Sequence, residues 1–201
     1  MEIVLYAFTV MYTPGPVNLL SLNEGLSATL RETWGFFAGV ALAIFCWFAV
    51  IGFAGQILIV RDLIPYIALA GSAYILYLAF KVFTSTPTAA GDRDEIRSGR
   101  LSFGNGFFMQ LLNPKNSLVV IPITTVMFPG REITGTALIG CSALIALGGG
   151  GAPALYFWAG KIVGKRIHQP RYFRLCNRIV AILLVVVAAM MFFDYVVVPL
   201  L

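Results

Sequence analysis

Residues 3–22 read IVLYAFTVMYTPGPVNLLSL, a run without a single charge that is interrupted in its middle by Pro14-Gly15-Pro16. A helix needs about 20 apolar residues to cross the hydrocarbon core of a bilayer, and this run has that length. Proline has no N–H and its ring clashes with the carbonyl four residues earlier, so two prolines around a glycine predict an unwound helix. Carbonyls freed in this way cost several kcal/mol each if they face lipid, so they must face protein or a wet hollow. The pattern recurs at residues 103–128, FGNGFFMQLLNPKNSLVVIPITTVMF, where Asn113-Pro114-Lys115 again stands about ten residues from the start.

The rest of the chain fits around these two runs. Of its 201 residues, 59% are hydrophobic and only 11% charged, against roughly 25% charged in a soluble domain. Further apolar blocks lie at 34–60, 63–83, 133–158 and 179–201, giving an all-α membrane protein of six expected spans. The second and third blocks are separated by Arg61 and Asp62, which predicts a tight hairpin closed near Pro65, and Pro129-Gly130-Arg131-Glu132 predicts another turn. The polar stretch 84–102 reads as a cytoplasmic linker between two three-helix repeats, 1–83 and 103–201. A basic loop is expected over 161–178.

Three spans per half is an odd number, so the halves have opposite orientations, and each begins with a broken helix. Matching breaks in inverted halves mark the binding site of a transporter. Eleven of the 14 Lys and Arg follow the first, third and fifth spans, with Lys81 at the end of the third counted among them, against Arg61 and Arg131 in the loops on the other side. Basic loops stay cytoplasmic, so both termini are expected to face outward.

Thr13, Pro14, Gly15, Pro16 and Asn18 at the first break are the candidate substrate-binding residues, with Gln110, Asn113, Pro114, Lys115 and Asn116 at the second. A half-helix N-terminus offers N–H groups and partial positive charge to a carboxylate, and unwound carbonyls can accept from an ammonium, which suits a small amino-acid substrate. Lys115 is the sharpest of these residues. A charge at mid-bilayer costs roughly 2.5–3.5 kcal/mol on insertion scales, so it must meet substrate, an acid or the freed carbonyls. Glu24 and Asp194 are candidates for carrying a coupled proton. Ser21 and Asn23 lie near the first break. The glycine run at 148–151, followed by Pro153, reads as a close-packing face with some local unwinding, or as a hinge. Gly35 and Gly39 form a smaller packing signal, and Tyr6, Tyr12, Trp34, Trp158, Tyr172 and Tyr195 read as interfacial anchors.

Several functions are disfavoured. The chain is too short for a large extramembrane catalytic domain, and no catalytic triad, carboxylate pair or phosphate loop is visible. Cys46, Cys141 and Cys176 form no CxxC pair and His168 stands alone, so neither a metal site nor another cofactor is expected. The net charge of +5 sits beside apolar spans, which speaks for orientation in the bilayer and against nucleic acid. Two alternatives stay open: a membrane thiol–disulfide electron carrier, which would want cysteines beside the breaks, and a passive channel for small polar solutes.

At Tyr12-Thr13-Pro14-Gly15-Pro16 with Asn18, at GFFAGVALA over 35–43, at GSAYILYLAFK over 71–81 and at Phe103-x2-Gly106-Phe107-x2-Gln110-Leu111-Leu112-Asn113-Pro114-Lys115, the sequence resembles the LysE/RhtB-type amino-acid exporters. The resemblance covers essentially the whole chain. It implies efflux of amino acids or close derivatives across the bacterial inner membrane, driven by exchange for protons. The small-residue faces permit a homodimer. One departure stands out: Val17 follows the second proline where that family usually has asparagine.

Overall fold

The computed structural model describes residues 2–54, 60–84, 101–113, 115–165 and 170–198. Among these residues the regular structure is helical throughout. Helices α1 (Glu2–Met11) and α2 (Pro16–Gly25) are followed by α3 (Leu30–Ala54) and α4 (Val60–Thr84). Then come α5 (Phe103–Leu111), α6 (Lys115–Pro122), α7 (Gly135–Gly164) and α8 (Pro170–Phe192). Wider π-helical turns extend α6 over Ile123–Met127 and α8 over Phe193–Val197.

Among the described residues four helices are long and apolar enough to cross a membrane, and five crossings result if α1 and α2, bent by 64° at their break, form one. The expected fourth span is in two pieces, α5 and the shorter apolar segment Lys115–Met127. Neither piece has the length of a full crossing.

Several expected boundaries move. Pro65 lies inside α4 instead of closing the hairpin. The turn before α4 lies outside the described residues, as do most of the linker, Pro114 and His168. The basic stretch after residue 160 is shorter as a loop than expected, because α7 continues to Gly164 and α8 starts at Pro170. Lysine and arginine are good helix formers and can hold their charged heads at the bilayer surface, so a change in hydropathy does not end a helix.

The outward faces are apolar: Leu144 is 71% exposed and Leu147 69%, an arrangement that needs lipid as solvent. Inside, Phe36, Phe48, Phe128 and Phe157 are fully buried, yet so are the amide side chains of Asn18, Gln110, Asn113 and Asn116, to within a tenth.

Glycines bring the helices together at one end of the bundle. A Cβ on Gly39 of α3 would fall on the Phe103 carbonyl, and one on Gly106 of α5 on that of Phe36. Gly25 of α2 lies against the Phe157 carbonyl in the same way, and Gly160 and Gly164 of α7 lie against those of Leu22 and Leu26. Main chain therefore touches main chain in the α3–α5 and α2–α7 pairs. At this end Lys161 also donates to the Ala28 carbonyl at 2.8 Å. At the opposite end Gly130, Gly135 and Gly140 have nothing within 4 Å of such a Cβ, and the exposed pair Arg131–Glu2 closes at 2.9 Å.

The run at 148–151 stays helical throughout. Gly149 and Gly150 are buried against Ile44, Met11, Phe37 and Ala41, so the run is a packing face without the local unwinding expected of it.

Candidate functional site

The first break stops α1 at Met11 and restarts the chain at Pro16, a residue suited to the first helical turn. The carbonyls left over there are met one by one. Val10 O accepts from the Thr13 hydroxyl at 2.8 Å, and Tyr12 O from the Tyr156 hydroxyl at 3.0 Å. Asn18 reaches back to donate to Met11 O at 3.1 Å and Thr13 O at 3.0 Å. The freed carbonyls expected to receive a substrate ammonium at this break are thus already paired with protein.

The second break is tied mainly by its own amides. Asn113 accepts the Lys115 N–H at 3.1 Å, capping α6. Gln110 donates to Asn116 Oδ1 at 2.6 Å, and Asn116 donates in return to the Gln110 carbonyl. Trp47 of α3 supplies the remaining donor, to Leu111 O at 3.0 Å. On the far side, a Cβ on Gly71 would meet the Leu112 carbonyl, so the absence of a side chain lets α4 lie on the break.

Lys115 joins the two breaks. Its ammonium donates to Thr13 Oγ1 at 2.5 Å and to Thr13 O at 3.2 Å, although 102 residues separate the partners. It borders a narrow hollow that holds about 30 Å³ for water-sized contents, within about 390 Å³ of empty space counted out to its open mouth.

Asn18, Gln110, Asn113, Lys115 and Asn116 give the hollow a polar wall. Met11, Val17, Val40, Ile44 and Val119 give it an apolar one. The N-terminus of α2 opens here: Gly15, Val17 and Asn18 border the space, and no side chain caps the helix at Gly15.

Of the residues expected at the site, Gly15, Asn18, Gln110, Asn113, Lys115 and Asn116 therefore border one space. Thr13 is present through Lys115, Pro14 is exposed beside it and Pro16 is buried as the first residue of α2. Pro114 is outside the described residues. Glu24, on the last turn of α2, and Asp194, exposed in the final turn, do not border the hollow.

Sequence reasoning missed Tyr156, Trp47, Gly149 and Pro153 as contributors to this region. Pro153 within a glycine-rich span was the one signal available. Tyr6 and Tyr12, expected at the interface, instead bond Leu118 O at 2.6 Å and Gly148 O at 3.0 Å. No group of three metal-ligating side chains occurs among the described residues, and the three cysteines are free and half-buried on α3, α7 and α8.

Comparison with known proteins finds relatives along nearly the whole chain. A cysteine/O-acetylserine efflux protein of Escherichia coli (strain K12) is 29% identical over 191 residues, which is 94% of each chain. Proteins of the same description from Shigella flexneri and Shigella sonnei (strain Ss046) match to the same extent. No solved structure matches the chain. The family model for the LysE type translocator matches residues 8–194, from α1 to the last turn of the fold. With that match across nearly its whole length, the chain belongs to the LysE type translocator family of membrane transporters.

Proposed function

We propose that this protein is a secondary active exporter of small neutral amino acids or their derivatives in the bacterial inner membrane, exchanging them for protons. In this reading the α1–α2 pair and the segment from α5 to Met127 each count as one broken crossing, which gives six spans in two inverted halves, 1–83 and 103–201. Residues 84–102 form the cytoplasmic linker and both termini face outward. The bundle end zipped by glycines is then the cytoplasmic one, in keeping with Arg31, Lys161 and Lys165 near it and the positive-inside rule.

The observation that carries this reading is the contact of Lys115 with Thr13 at the edge of the hollow. A solute carboxylate is a stronger acceptor for an ammonium than a hydroxyl, because both partners are charged. It would replace Thr13 on Lys115 and receive the uncapped N–H groups of α2. The apolar wall, which includes Val17, suits a short side chain without charge. Cysteine and O-acetylserine, the solutes in the names of the relatives, have that character. Of the two candidate proton carriers, Glu24 lies on α2, the helix whose other end opens on the hollow.

The test is uptake of radiolabelled cysteine, O-acetylserine, threonine, homoserine, leucine and lysine into inside-out vesicles with an imposed proton gradient. Saturable, gradient-dependent uptake of one or more neutral members is expected, with lysine excluded. Uptake no greater than in vesicles lacking the protein, for every member of the panel, would falsify the assignment.

A further inference from the structure

Each proline in a helix removes the N–H that would have served the carbonyl four residues earlier. Four carbonyls that stand four residues before a proline in the sequence have a substitute donor. Val10 O, opposite Pro14, takes the Thr13 hydroxyl, and Tyr12 O, opposite Pro16, takes that of Tyr156. Gln110 O, opposite Pro114, takes the Asn116 amide, and Leu118 O, opposite Pro122, takes the Tyr6 hydroxyl. Pro153 in α7 orphans Gly149 O, and here no side chain of the described residues donates. The donors nearby go to its neighbours instead: Tyr12 to Gly148 O at 3.0 Å and Ser21 to Pro153 O at 2.7 Å. Gly149 and Pro153 both border the hollow.

We infer that the Gly149 carbonyl is the acceptor for the ammonium group of the transported solute, at the side of the hollow formed by α7. The inference rests on the exporter reading above and adds a third contributor to a site otherwise built from the two broken helices. A carbonyl whose partner four residues on is a proline nitrogen keeps accepting capacity for an N–H brought by a solute. No acidic side chain borders the hollow among the described residues, so a cationic group there is held by carbonyl dipoles. The other amide donors are engaged, Asn18 with Met11 O and Thr13 O and Gln110 with Asn116. The glycine also has a steric reason to be there, since a Cβ at 149 would lie 2.5 Å from Ile44 Cδ1 and 3.0 Å from Met11 Sδ.

The test compares each solute with its amine-altered analogues as competitors of labelled L-cysteine uptake in inside-out vesicles. In the unaltered protein, 3-mercaptopropionate, which lacks the amine, and the N,N,N-trimethyl derivative, which keeps the charge but has no N–H, should each compete at least tenfold more weakly than unlabelled cysteine. Pro153→Ala restores the N–H that closes on Gly149 O. It should bring cysteine and 3-mercaptopropionate to within about threefold of each other by weakening cysteine alone. Pro122→Ala, whose carbonyl already has Tyr6, should leave the tenfold gap intact. The inference is overturned if the trimethyl derivative competes as well as cysteine, a result that does not require any variant to fold, or if Pro153→Ala keeps the gap. Absence of labelled uptake with every member of the earlier panel defeats the exporter reading itself, and this inference with it.

Discussion

Lys115 is the residue on which the proposed chemistry turns. Its ammonium is held by a hydroxyl and a carbonyl of one residue, Thr13, on the other half of the chain. Hydrogen bonds to charged groups contribute roughly 1.5–3 kcal/mol, equivalent to about 10–100-fold in affinity. Lys115→Ala should therefore raise the half-saturating solute concentration by about that factor, with the protein still present in the membrane at normal levels by immunoblot. An unchanged value would remove Lys115 from the binding site. That Lys115 would need polar partners was legible in the sequence, because a lysine beside a proline in an apolar run has few places to go. The donors that stitch the breaks were not. Trp47 and Tyr156 act on carbonyls 64 and 144 residues away, and nothing in a single sequence ties a tryptophan in one apolar helix to a carbonyl in another.

At the level of helices, the prolines announced both interruptions, whereas the helix ends were blurred by basic residues that continue α7 and lead into α8. The glycines need sorting by what they touch. Gly160 lies against the Leu22 carbonyl, whereas Gly140, on the same helix, has nothing within 4 Å. Overpacking a close crossing costs about 1–3 kcal/mol, and removing an unneeded helical glycine gains up to about 1 kcal/mol. Gly160→Val should lower the thermal unfolding midpoint in detergent, while Gly140→Ala should leave it unchanged or raise it. A reversed order would show that the α2–α7 crossing is looser than described. The small-residue pattern at 35 and 39 pointed to packing, and its partner is α5, whose Phe103 lies against both glycines. Which helix would be that partner was not readable, since spacing identifies a face but not its neighbour.

Across the whole molecule, the proposed topology makes a claim about sides. In a background with Cys46, Cys141 and Cys176 replaced by alanine, Glu132→Cys and Ser27→Cys place thiols at exposed positions near opposite ends of the bundle. A membrane-impermeant maleimide added to intact cells should label residue 132 at once and residue 27 only after permeabilisation. The reverse pattern would turn the protein over in the bilayer. The five interlocked glycines also bear on pace. Where backbone rests on backbone there is no side chain to swing aside, so that end parts only when entire helices travel together. A door of this kind has no latch that a passing solute can lift by itself. In the proposed exporter its tempo is then set by rigid bodies in lipid, and fluidity of the surrounding membrane enters its kinetics.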